Sequence, residues 1–139
     1  MAFLVKKFGG TSVGSVERIQ RVAQKLKQAR DDGDDVVVVV SAMSGETNRL
    51  VGMAQEVQPA AVDVRELDVL LSTGEQVTIA LLCMALKSLG CEARSYTGAQ
   101  VRILTDNSHS KARIESIDTD KIMKDIRACL LYTSPSPRD

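Results

Sequence analysis

Five consecutive valines, Val36 to Val40, run through the stretch DDVVVVVSAMSG. A strand with one face in water alternates apolar and polar residues, because successive side chains point to opposite faces. Five β-branched residues without alternation describe a strand buried on both faces. That burial is characteristic of a parallel sheet, whose crossover connections lay helices over it. The preceding residues complete such a unit. Phe3 to Phe8 reads as a strand. Val16, Ile19, Val22, Ala23, Leu26 and Ala29 then recur at helical spacing, with Glu17, Arg18, Arg21, Lys25 and Lys27 on the other face. Gly33, in Asp31-Asp32-Gly33, is the expected helix stop, since glycine accepts a left-handed turn. A right-handed strand–helix–strand crossover makes the first two strands parallel.

Helical patterning resumes over Glu46 to Val57 and breaks at Pro59. It returns over Val64 to Leu71 and again over Gly74 to Leu89, where Val77, Leu81, Met84, Ala85 and Leu89 share a face. CEARSY reads as a short strand, GAQVRILTD as a strand or hairpin arm, and Asp118 to Ala128 as a last amphipathic helix carrying Ile122 and Ile126. The 139 residues, 44% of them hydrophobic, suffice for one domain with a core. Lys+Arg and Asp+Glu are 18 each, so the basic excess of a nucleic-acid binder is missing. No uninterrupted apolar run approaches the roughly 20 residues that span a bilayer. MAFLVKKFGG lacks the pattern of a signal peptide. Cys83, Cys91 and Cys129 form no C-x-x-C pair, which speaks against a disulfide framework or zinc site and for a reducing cytoplasm. Cys83 reads as a small core residue.

Three motifs carry candidate chemistry. In KFGGTS, Lys7 to Ser12, a glycine pair lies between a strand and a helix N-terminus, where backbone N–H groups and the helix dipole favour anions. Lys7 adds a mobile positive charge, and Thr11 and Ser12 add hydroxyls. The spacing is neither G-x-x-x-x-G-K-[ST] nor G-x-G-x-x-G, so a glycine turn with a capping hydroxyl stays open beside a phosphate loop. SAMSGETN, Ser41 to Asn48, follows the valine strand directly. Ligands of open α/β sheets sit beyond the carboxyl ends of strands, although Ser44 would also serve as a helix N-cap. In STGEQ, Ser72 and Glu75 have capping-box spacing; alternatively Glu75 partners a substrate ammonium. His109, the single histidine, sits with Lys111 and Arg113 in a polar stretch that reads as a loop with solvated charges. Asp31, Asp32, Asp34 and Asp35 read as a solvated turn, and no metal ligand is assigned.

Together VKKFGGTSVG, VVVVVSAMSGETNRL, ELDVLLSTGEQVTIALL and SYTGAQVRILTDNSHSKARI resemble bacterial aspartate kinases, of the amino-acid kinase family, in order from about Phe3 to Ala128. The resemblance implies a three-layer α/β/α sandwich with a mainly parallel sheet. It also implies transfer of phosphate from ATP, with Mg2+, to the side-chain carboxylate of L-aspartate. The product, 4-phospho-L-aspartate, leads to lysine, threonine and methionine. By motif, Lys7 resembles the catalytic lysine; Lys7, Phe8, Gly9 and Gly10 resemble the ATP-phosphate site; and Ser41, Thr47 and Glu75 resemble the aspartate-binding residues. A cytoplasmic homo-oligomer without nucleic-acid or membrane partners is implied for the whole enzyme. The alternatives are another amino-acid kinase acting on a small carboxylate, or a non-catalytic small-ligand module.

Family members continue into a further buried strand, a GGSD-type motif with a catalytic aspartate, a nucleotide-base pocket and regulatory domains. None of these is found in the sequence. Residues 1–128 are therefore expected to be the N-terminal part of a kinase domain, inactive alone and ending at an uncovered sheet edge. The last eleven residues, CLLYTSPSPRD, change character abruptly and match the translation of a transposase-type sequencing adaptor. Residues 129–139 are accordingly expected to be a disordered adaptor-derived tail.

Overall fold

The valine run forms β2 (Asp35–Val40), with Val36, Val37, Val38 and Val40 buried and Val39 half-buried. The computed structural model of the chain describes residues 3–96, 103–105, 114–117 and 131–135. β1 (Phe3–Phe8) pairs with β2 in parallel along its whole length, from Phe3 opposite Asp35 to Phe8 opposite Val40. The crossover is α1 (Val16–Asp31), capped by the Ser15 hydroxyl, which accepts from the Arg18 N–H at 3.2 Å. The helix stops where expected. Gly33 adopts φ +94°, its N–H bonds the Arg30 carbonyl, and the Asp34 N–H reaches back to the Ala29 carbonyl. This pair of bonds satisfies carbonyls that the helix end leaves open.

The acidic turn is more ordered than a solvated cluster. Asp31 pairs with Lys27 at 2.5 Å, Asp32 accepts from Gln28 at 3.0 Å, and the part-buried Arg30 binds Asp35 at 2.7 Å. The last contact ties the end of α1 to the start of β2.

α2 (Glu46–Val57) agrees with the sequence pattern, but its N-cap does not. Gly45, at φ +84°, takes that position without a side-chain bond, so Ser44 is not the cap. The larger correction concerns the next two helical stretches, which form one 25-residue helix, α3 (Val64–Ser88). Its start is set by Asp63, whose carboxylate accepts from the Glu66 N–H at 2.9 Å. Ser72 therefore lies inside the helix and forms no capping box. Ser72 and Thr73 instead donate to the carbonyls of Val69 and Leu70 at 2.7 and 2.6 Å, the local alternative that lets a hydroxyl sit within a helix. By length and a mean hydropathy of 1.7 over 18 residues, α3 could cross a membrane. Its packing is that of a core helix: Ile79, Leu82, Cys83 and Leu86 join Ile19, Val22, Ala23 and Leu26 of α1 against Val36, Val38 and Val40. Cys83 is the core residue expected.

α1 and α3 thus form one helical layer on the sheet face that carries Leu4 and Phe8. Phe3 and Val5 lie on the opposite face of β1 and are exposed among the described residues.

β3 (Ala93–Ser95) agrees with the short strand expected in CEARSY. The main sheet has the order β1-β2-β6-β3, with every pairing parallel. β6 (Leu131–Pro135) belongs to the C-terminal stretch, residues 129–139. The facing edges of β2 and β3 present backbone donors and acceptors that need partners. β6 supplies them, with Val37 opposite Tyr132 and Ala93 opposite Leu131. The edge of β2 is therefore paired rather than open. Pro135 falls at the end of the strand, opposite Val40, where a missing N–H disrupts least.

β4 (Ile103–Thr105) is the hairpin arm expected, antiparallel to β5 (Ile114–Ile117) with an irregularity between Leu104 and Thr105. His109, Lys111, Arg113, Cys129 and the helix expected over Asp118 to Ala128 lie outside the described residues.

Candidate active site

Parallel, in-register strands release their chains at one sheet edge. The loop after β1 and the loop after β2 therefore emerge side by side. The first folds into two successive turns, with Ser12 N–H on the Gly9 carbonyl at 3.1 Å and Gly14 N–H on the Thr11 carbonyl at 3.3 Å. Two bonds sew it to its neighbour: Ser41 N–H to the Phe8 carbonyl at 3.3 Å, and Ser44 N–H to the Gly10 carbonyl at 3.1 Å.

The two glycines of the pair have different surroundings. A Cβ on Gly10 would stand 2.9 Å from the Ala42 carbonyl oxygen, inside contact distance, so the approach of the second loop requires a residue without one. A Cβ on Gly9 would meet nothing within 4 Å. Gly10 is thus a packing glycine, and Gly9 faces open space at the end of β1.

The third motif arrives from α3. Gly74 is buried, and a Cβ there would come within 3.2 Å of both the Ala42 Cβ and the Glu46 Cγ. Ala42, itself buried, is the common neighbour of the first and third motifs. Glu75, the next residue of α3, is half-buried. Ser72 lies inside α3, so Glu75 is not the partner of a capping box. Ser41 is half-buried at the end of β2, and Thr47 is exposed in the first turn of α2. Lys7 is exposed near the end of β1, opposite Val39, and Phe8 is half-buried. The candidate residues thus sit at or beside the three interlocked segments.

Charge is also ordered here. Arg49 grips Glu46 through Nη2 at 2.6 Å and Nε at 3.1 Å, and this hydrogen bond holds the Glu46 carboxyl below the usual carboxylate range. On the α1 side, Arg18, Arg21 and Lys25 line a cavity of about 290 Å³ together with Phe8, Thr11, Ser12 and Val22. Arg18 Nη1 donates to the Thr11 carbonyl at 2.7 Å. Among the described residues no group of three His, Cys, Asp or Glu side chains is placed to hold a metal ion.

Sequence reasoning passed over Arg18, Ala42 and Gly74. Gly74 carried a usable signal, since a glycine inside a helical pattern costs about 1 kcal/mol relative to alanine and calls for a packing reason. Ala42 carried none, because an alanine after a strand is unremarkable until its neighbours are known.

Residues 2–129 match the profile described as the amino acid kinase family. The aspartate kinase Ask_LysC of Stutzerimonas stutzeri is 65% identical over 128 residues, covering 92% of this chain and 31% of the relative. An aspartokinase of a Bacillus species is 53% identical over 126 residues, covering 91% of this chain and 30% of its own length. Among solved structures, an aspartate kinase from Synechocystis superposes with a TM-score of 0.78 at 44% identity, over 96% of this chain and 21% of that one. E. coli aspartokinase III, in complex with aspartate and ADP, gives 0.80 at 19% identity, over 96% and 40%, a likeness of fold. The chain therefore spans about a third of the length of the curated relatives it matches.

Proposed function

The chain belongs to the amino acid kinase family, and from that premise we propose that it forms the phosphate-loop and acceptor side of an ATP-dependent aspartate kinase. The observation that carries this reading is the interlock of the three motif segments at one sheet edge, with Gly10 against Ala42 and Gly74 against both Ala42 and Glu46. The identity to proteins named aspartate kinases supports the choice of acceptor.

The reaction moves the γ-phosphoryl group. A carboxylate oxygen of L-aspartate forms a bond to phosphorus as the bond from phosphorus to the ADP oxygen breaks, and no proton need be removed from the acceptor. Both partners are anionic, so catalysis consists mainly of positioning and charge neutralisation. Gly9 leaves room beside the backbone for phosphate oxygens, and Gly10 keeps that backbone in place. Lys7 supplies a positive charge for the transferring group, of a kind worth about 3 kcal/mol per donor in other enzymes. Glu75 pairs with the aspartate ammonium, and Thr47 and Ser41 offer hydroxyls to its carboxylates. Mg2+ enters as MgATP, bound through the nucleotide.

Hydroxylamine trapping of the acyl phosphate, in a complete kinase carrying this sequence, tests the reading with aspartate, glutamate and N-acetylglutamate as acceptors. Aspartate is expected to be the substrate, and Lys7→Ala is expected to abolish turnover while aspartate binding persists. Near-normal kcat in Lys7→Ala, or preference for another acceptor, would refute it.

A further inference from the structure

We propose that Arg18 is a positioning residue that braces the glycine loop against the first turn of α1, and so sets the loop's affinity for a nucleotide phosphate. The phosphate part of this proposal rests on the kinase reading above; the brace itself does not. Arg18 Nη1 donates to the Thr11 carbonyl at 2.7 Å, a short bond from a charged donor. The same carbonyl also accepts a longer bond, 3.3 Å, from the Gly14 N–H. The peptide unit that carries the Thr11 carbonyl also carries the Ser12 N–H, which donates to the Gly9 carbonyl at 3.1 Å. A peptide is planar, so bonds at its two ends fix its orientation. The backbone that follows Gly9 is thereby fixed as well.

The brace is anchored at its other end. The Arg18 N–H is held by the Ser15 hydroxyl at 3.2 Å, the cap of α1. Residues 11 to 18 thus close a loop of bonds around the helix start, while Ser44 holds the far side of the loop through the Gly10 carbonyl. Arg18 and Thr11 are both exposed. Water can replace the bond thermodynamically but cannot reproduce the tether. Removing the guanidinium should therefore loosen the loop without unfolding the protein.

The test compares a complete kinase carrying this sequence with its Arg18→Gln and Arg18→Lys variants by amide hydrogen exchange, thermal melting and calorimetric titration with MgATP. Arg18→Gln is expected to speed exchange over residues 9–14 about tenfold and to weaken MgATP binding by a similar factor, the scale of one charge-assisted hydrogen bond. The melting temperature and the exchange of β2 and α3 should stay unchanged. Arg18→Lys keeps a charged donor and should recover part of both losses. Unaltered loop exchange in Arg18→Gln overturns the proposal, and so does a loss of protection spread over β2 and α3, because that is a global structural effect. Faster exchange confined to the loop, in a complete kinase that binds no MgATP in any version, upholds the brace and refutes the nucleotide reading instead.

Discussion

Alanine at Gly10 and alanine at Gly9 should change stability in opposite directions, although the two positions are adjacent and chemically identical. At Gly10 the new Cβ would stand 2.9 Å from the Ala42 carbonyl oxygen. The obstacle is backbone, so relief requires the second loop to move, and crowding of this kind costs about 1–3 kcal/mol. Neither glycine is among those with positive φ. Each alanine therefore also recovers about 0.4–1 kcal/mol by restricting the unfolded chain. The net expectation for Gly10→Ala is a loss of about 1.5 kcal/mol, or roughly 5 °C in Tm for a chain of this size. For Gly9→Ala nothing lies within 4 Å, so only the gain remains, and Tm should hold or rise by roughly 2 °C. The phenotype reverses with ligand: Gly9→Ala fills the space proposed for phosphate and should weaken MgATP binding by a complete kinase carrying this sequence, in a protein that melts no earlier than the parent. Circular dichroism melts of both variants, with calorimetric titration of a complete kinase carrying each, suffice. Equal melting temperatures for the two variants would show that the Gly10–Ala42 contact does not limit the fold. Unchanged MgATP affinity in Gly9→Ala would remove Gly9 from the phosphate cradle.

Three further outcomes are expected. Gly74→Ala should shift Tm only slightly, since the helix-propensity gain of about 1 kcal/mol offsets crowding against Ala42 and Glu46, whereas Gly74→Leu should melt much earlier; equal melting of the two would deny the contact. Asp63→Ala should lose about 1 kcal/mol in urea unfolding through loss of the α3 cap, and Ser72→Ala much less; the reverse order would restore the capping box at Ser72. Glu46 has a lowered pKa, chiefly from its hydrogen bond to Arg49 and despite partial burial. Its contribution is therefore present above the ordinary carboxylate range and lost as pH falls through the depressed folded value. Glu46→Gln should flatten that part of the acid limb of a stability–pH profile, and an unchanged limb would count against the pairing.

The local patterns were legible because their causes are local. Five valines cannot alternate, so β2 had to be buried on both faces. Gly33 ends α1 through its own backbone freedom. The break at Pro59 and the short strand in CEARSY followed from the same kind of reading. Where a residue offered two local roles, the pattern could not choose. Ser72 and Glu75 have the spacing of a capping box, but helix propensity on both sides carries α3 straight through them. Ser44 has the chemistry of an N-cap, yet its N–H is bonded to the Gly10 carbonyl and the cap passes to Gly45.

Periodicity and punctuation thus establish which segments are helix or strand and that the first strands run parallel, since these depend on side chains a few residues apart. The division of the glycine pair into a packing residue and an open one, the meeting of both motif loops with α3 at Ala42, and the brace from Arg18 arise from distances between segments remote in the chain. Such distances come into existence only when the sheet and its helices pack.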